Sequence, residues 1–306
     1  MRVAVRVPIS PSPNYLNRTV LLANSWRSAA ARDLDADREV FVSPDREAPP
    51  DTWRRAIEDL EIRWIDVDQA EFAAHGYAAA THERFTRPTD ADAIVQLDAD
   101  LIVLGDLAPA VRDSVDRSVV LGVTAYRSPF NLSSFPAAAE LSRHDCWREL
   151  FTALDLGPPV FDRTHPAGFE RDWDDDFSRC PVYFNYGVVL VPTPVAPSIG
   201  ELLPREVARV DTHFHGPHRA QLALSSALLR SEIANQPAYV AHYADDAHDL
   251  RVLHYMNRSN FDKETDLDDP ESLQRWSSNA TDTLHRPLVE HIERLLARLK
   301  RCPWNR

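Results

Sequence analysis

The chain has 306 residues, 44% of them hydrophobic and 26% charged, which suits one large α/β domain or two small ones. No run approaches the roughly 20 apolar residues of a membrane-spanning helix. The net charge of -13, from 47 acidic and 34 basic residues, argues against nucleic acid as a partner, because that needs a clustered basic face.

Only Lys263 and Lys300 are lysines, so nearly every basic side chain is Arg, and an acidic, Lys-poor surface of this kind suits high salt. Cys146, Cys180 and Cys302 have neither the pairing of a disulfide framework nor the spacing of a metal knuckle, and read as thiols in a reducing compartment. The Asn-x-Ser/Thr triplets at Asn17, Asn131, Asn257 and Asn279 then carry no weight. Met1 to Ser10 lacks the apolar core and cleavage site of a signal peptide, so the expectation is a soluble, cytoplasmic protein.

In chain order, Arg2–Ile9 is a β-branched strand that runs into the tight loop Pro8-Ile9-Ser10-Pro11-Ser12-Pro13. A helix is predicted over Tyr15–Ala31, then a strand at Glu39–Ser43, a helix at Thr52–Leu60 and a strand at Glu61–Val67. A short helix at His82–Phe85 precedes Ala93–Leu97, whose apolar run is that of a strand covered on both faces. Val119–Val123 is a further strand. The stretch of about 128–180, with several prolines and an acidic run at Asp172, Asp174, Asp175 and Asp176, reads as a helical and loop insertion facing the acceptor. Then come a strand at Val182–Val191 and a helix at Ser198–Val210 with a break expected at Pro204. A helix at His218–Leu229 and strands at Ala238–Tyr243 and Val252–Tyr255 follow. Arg286–Arg301 carries leucines at helical spacing and reads as an amphipathic C-terminal helix. The fold class is therefore α/β: a mixed, mostly parallel sheet flanked by helices. Residues 1–265 form one domain that includes the insertion, and 266–306 a C-terminal helical extension.

The chemistry centres on Gln96-Leu97-Asp98-Ala99-Asp100-Leu101-Ile102-Val103-Leu104-Gly105-Asp106-Leu107. A buried strand delivers two carboxylates, one residue apart, into the turn beyond it, and extended residues at that spacing share a side. Two carboxylates on one side make a hard-oxygen site for Mg²⁺ or Mn²⁺. Ligands of parallel sheets bind beyond the carboxyl ends of the strands, where the Pro8–Pro13 loop also lies.

This segment resembles the glycosyltransferase family that includes glycogenin and the bacterial lipopolysaccharide galactosyltransferases, in which an apolar strand, Asp-x-Asp, an apolar run and Gly-Asp-Leu follow one another. Phe184-Asn185-Tyr186-Gly187 resembles that family's Phe-Asn-x-Gly strand, Glu83-Arg84-Phe85 its Arg-containing helix, Gln221 its acidic-Gln helix opening, and His254-Tyr255 its late His-aromatic pair. The resemblance implies a GT-A fold and a retaining transferase that uses a nucleotide-diphosphate sugar, UDP-sugars favoured. Asp98, Asp100 and His254 would hold Mn²⁺ or Mg²⁺, with Asp98 also touching the donor. Arg84 would meet donor phosphate, Asn185 would orient the sugar, and Gln221 would lie near the anomeric carbon. Ile9 and Tyr15 would cover the nucleoside. The acceptor would be a glycan, a lipid-linked or a small-molecule hydroxyl, a lipid-linked one being compatible with peripheral membrane contact. The rival readings are a sugar nucleotidyltransferase, which needs a Gly-rich loop where Pro-Ile-Ser-Pro-Ser-Pro stands, and a non-catalytic nucleotide- or sugar-binding relative.

The chain departs from the family pattern at Ala220, where an acidic residue is usual, and after His254, where Arg258 or Lys263 would replace its phosphate-binding lysine. His213-Phe214-His215-Gly216-Pro217-His218 reads as a polar loop beside the site. His242 and His248, among Asp245 and Asp246, read as a solvated loop.

Overall fold

The structure is a computed structural model that describes residues 1–27, 33–125, 128–131, 133–163, 179–216, 218–238 and 251–254. Its elements are β1 (Arg2–Ile9), α1 (Pro13–Ser25), β2 (Asp35–Val42), α2 (Asp51–Glu58), β3 (Ile62–Asp66), α3 (Gln69–His75), α4 (Ala78–Thr86), β4 (Ala93–Leu97) and β5 (Leu101–Val103), then α5 (Ala108–Arg117), β6 (Val120–Thr124), α6 (Arg143–Ala153), β7 (Phe184–Pro192), α7 (Ala196–Asp211), α8 (Arg219–Arg230), β8 (Asn235–Pro237) and β9 (Val252–His254). The main sheet has the order β3-β2-β1-β4-β7-β6-β8, and β7 runs antiparallel to both its neighbours while every other pair is parallel. A separate two-stranded ribbon pairs β5 with β9.

Strand alternation sorts the core onto the two faces of this sheet. On β1, Val3, Val5, Val7 and Ile9 face a layer containing α1 and α5, and Ala4 faces the other layer with α4, α6, α7 and α8. Every residue of β4 is buried, as its apolar sequence requires for a central strand covered on both sides. Arg6 shares the parity of Ala4 and is wholly buried, directly opposite Glu39 on β2. That pair survives in the interior because each nitrogen of Arg6 has a hydrogen-bond partner. Arg6 Nε donates to Glu39 at 2.8 Å, and its two terminal nitrogens donate to the carbonyls of Arg84 and Arg87 at the end of α4.

Helix α1 begins two residues ahead of the sequence expectation, at Pro13, whose fixed φ and missing N–H suit a first turn. Helix α7 corrects the expected break, running through Pro204 from Ala196 to Asp211. Proline there forfeits one backbone bond and costs roughly 3 kcal/mol. Burial of Ile199, Leu203, Val207 and Val210 against the sheet-side core offsets it. Gly200 allows close contact with α4, since a Cβ there would stand 2.5 Å from Thr86 Cγ2. Strand β8 (Asn235–Pro237) ends just before the strand expected at Ala238–Tyr243, of which residues 239–243 lie outside the described residues.

The described part of the insertion is packed into the body. Trp147 of α6 meets Phe130 edge-on at 4.8 Å and Tyr183 at 5.4 Å, and Phe130 in turn touches Phe214 at 6.4 Å. Burial of this aromatic cluster anchors the segment from Phe214 to Gly216, whose His215 N–H donates to the Ser134 carbonyl at 2.9 Å. Asp172 to Asp176, the His242–His248 segment, Cys302 and the C-terminal helix expected over Arg286–Arg301 all lie outside the described residues. Among the described residues, no helix is long and apolar enough to cross a membrane.

Candidate active site

A cavity of about 640 Å³ opens where β1, β2 and β4 end. Because β7 runs the other way, its first residues reach the same edge, and the Asp98 N–H donates to the Gly187 carbonyl at 3.3 Å. The cavity thus gathers Ile9, Tyr15, Arg84, Asp98, Asp100 and Gln221, which are widely spaced in the sequence. The first turn of α8, Arg219 to Gln221, forms another wall.

Arg84 is the most constrained of these groups. It is 2% exposed, with its guanidinium 5.6 Å from the centre of the Tyr186 ring and one nitrogen donating to Thr81 Oγ1 at 3.2 Å. Its Nε and Nη1 are buried with no hydrogen-bond partner among the described residues. Burial pushes this guanidinium below its ordinary pKa, and the Asp98 carboxylate pulls it back up. A buried cation with two unused donors, on a residue that borders the cavity, suits an anion in its chemistry. The positive end of the α8 dipole adds to the same preference.

Asp98 and Asp100, both partly exposed, face the cavity from the turn after β4. Immediately beyond them β5 pairs with β9 in a register that sets Leu101 opposite His254, and the Leu104 and Gly105 N–H groups both donate to the Arg251 carbonyl. The backbone therefore brings His254 within one residue of Asp100 in register, although no group of three or more His, Cys, Asp or Glu side chains is gathered for a metal among the described residues. Two carboxylates suit a hard divalent cation in donor type, and the adjacent histidine position offers a borderline nitrogen donor beside them. Arg258 and Lys263 lie outside the described residues.

Asn185 does not line the cavity. Its Oδ1 accepts the Gly187 N–H at 2.6 Å and so shapes the backbone at the start of β7, leaving Tyr186 as the residue of that motif on the cavity wall. Tyr15 is at the mouth with the Arg18 guanidinium 5.0 Å from its ring centre. Tyr77, 60% exposed, stands on the same rim, where it and Ser10 both donate to Asp45 Oδ2 at 2.9 Å. That hydrogen bond to Asp45 is the main cause raising the Tyr77 phenol above its ordinary pKa. Sequence reasoning missed Arg18, Tyr77, Tyr186 and Arg219. Arg219 alone carried a legible signal, as a basic residue opening the helix that holds Gln221. His215 and Gly216, from the segment read as a polar loop, also line the cavity, and a Cβ on Gly216 would lie 2.6 Å from that of Ser134.

No family model matches the sequence, and no curated protein matches it either. Solved structures do. The galactosyltransferase LgtC, in complex with donor and acceptor sugar analogs, aligns over 93% of this chain and 97% of its own, with a TM-score of 0.55 and 14% identity. An active-site mutant of LgtC aligns over the same shares with a TM-score of 0.54 and 14% identity. At that identity the likeness is one of architecture, and it agrees with the mixed sheet, the cavity at its edge and the reversed β7: the chain has a GT-A-type fold.

Proposed function

We propose that the protein is a glycosyltransferase that moves a sugar from a nucleotide-diphosphate donor, a UDP-sugar by preference, to a hydroxyl acceptor, with a divalent cation and with retention. The observation that carries this is the pairing, on one cavity, of the two carboxylates after β4 with the buried, under-satisfied guanidinium of Arg84. A diphosphate linked to a sugar presents what both ends need: phosphate oxygens for the cation and for Arg84, and hydroxyls for carboxylates.

In this reading the nucleoside lies over Ile9 and against Tyr15 or Tyr77, and Arg84 and the α8 N-terminus hold the diphosphate. Asp98, Asp100 and His254 would hold Mn²⁺ or Mg²⁺, which would neutralise charge developing on the leaving diphosphate. Gln221, whose Oε1 is buried without a partner among the described residues, borders the position of the sugar. A neutral amide is a weak nucleophile, so Gln221 orients the sugar while the acceptor hydroxyl attacks from the leaving-group side, which preserves configuration. Asn185 keeps the start of β7 in place rather than touching the sugar.

The test is incubation with a panel of UDP- and GDP-sugars and Mn²⁺, following release of free nucleoside diphosphate. Asp100→Ala is expected to abolish release while leaving the fold intact. Release that persists in that variant, or nucleotide binding indifferent to metal, overturns the reading. An inverted product anomer by proton NMR overturns retention alone.

A further inference from the structure

Tyr186 carries a feature that cavity-filling does not explain. It is 6% exposed, its ring borders the cavity, and its hydroxyl is buried with no hydrogen-bond partner among the described residues. A phenylalanine would fill the same space without burying an unpaired hydroxyl. With an ordinary pKa of about 10, a tyrosine phenol is a neutral O–H at working pH. As such it can both donate and accept.

In the proposed reading Arg84 is taken by the diphosphate and Asp98 by the divalent cation. The group left for Tyr186 is then the transferred sugar, whose hydroxyls donate and accept as a phenol does. We infer that Tyr186 is a specificity-determining residue for the transferred sugar, its O–H pairing with a sugar hydroxyl beside Asp98 and Arg84 and its ring limiting the bulk of substituents there. This rests on the glycosyltransferase reading, and it gives that reading a residue of β7 on the cavity wall.

Binding by calorimetry separates the two ideas, with the sugar nucleotide that wild type prefers and the matching free nucleoside diphosphate as probes, both with Mn²⁺. Tyr186→Phe keeps the ring and is expected to weaken the sugar nucleotide about tenfold, the worth of one hydrogen bond, while leaving the nucleoside diphosphate unchanged. Tyr186→Ala is expected to shift the affinity ratio at least about tenfold towards a hexose donor bearing an acetamido group, the pocket having gained a ring's volume. Equal weakening of both probes by Tyr186→Phe marks a structural role and overturns the inference, as does no change in either. An unchanged donor ratio in Tyr186→Ala overturns the limit on bulk. Failure of wild type to bind any nucleoside diphosphate removes the glycosyltransferase reading itself, and this inference with it.

Discussion

Glu39→Gln tests how α4, and so Arg84, is held. Glu39 is 3% exposed and Arg6 0%, and the substitution keeps the shape of the side chain while deleting its charge. Arg6 then stands buried with no anion. Arg63 and Arg87, which now lie 3.1 and 3.7 Å from Glu39, add positive charge to the same place, although both are substantially exposed and screened. Burial already pulls the Arg6 guanidinium below its ordinary pKa, with Glu39 the main restoring influence. Removing one partner of such a pair costs about 3–5 kcal/mol, a large share of a stability of about 5–15 kcal/mol. Urea unfolding followed by tryptophan fluorescence measures it, and the midpoint on heating is expected to fall by on the order of 10 °C. Adding Arg6→Met removes the stranded charge but orphans the Arg84 and Arg87 carbonyls at about 1 kcal/mol each, so the double variant is expected to recover only part of the loss. A Glu39→Gln protein within about 1 kcal/mol of wild type would show that water reaches the pair and refute the reasoning.

Arg84→Met is expected to stabilise the ligand-free protein, or leave its melting midpoint unchanged, while lowering nucleotide-sugar affinity by tenfold or more; a marked loss of stability would mean that Arg84 serves the fold instead. Gly200→Val forces a side chain against Thr86 and Phe85 and is expected to cost about 1–3 kcal/mol by urea unfolding, with reduced nucleotide release because α4 is displaced; an unchanged midpoint would refute the close packing. Burial lifts the Cys146 thiol from 9.0 to about 11 and raises Cys180 further, so both are expected to resist thiol reagents at pH 8 until urea unfolds the chain. A thiol whose folded pKa is raised stabilises fully below the unfolded value. The Cys146 contribution is therefore present below pH 9 and fades towards pH 11, and unfolding free energy that is flat over that window would count against its burial.

Local patterning alone determined the strands β1 and β4, the helices α2 and α8, and the two carboxylates after β4, because period-2 and period-3.6 apolar spacing and turn residues act over a few positions. Some local signals were present and passed over: Asp68 caps α3, its Oδ1 accepting the Ala70 and Glu71 N–H groups, and Pro109 opens α5. The tertiary structure alone decided the rest. Adjacent strand residues point to opposite sides, so whether Asn185 or Tyr186 meets the cavity depended on the pairing of β7 with β4 and β6. Pro204 stays within α7 because packing against α4 and the sheet outweighs its backbone penalty, a balance no local window contains. The pairing of β9 with β5, which sets His254 beside Asp100, and the burial of Arg6 against Glu39 are contacts between residues far apart in the chain. Their energies come from excluding water, and that is a property of the assembled layers rather than of any segment.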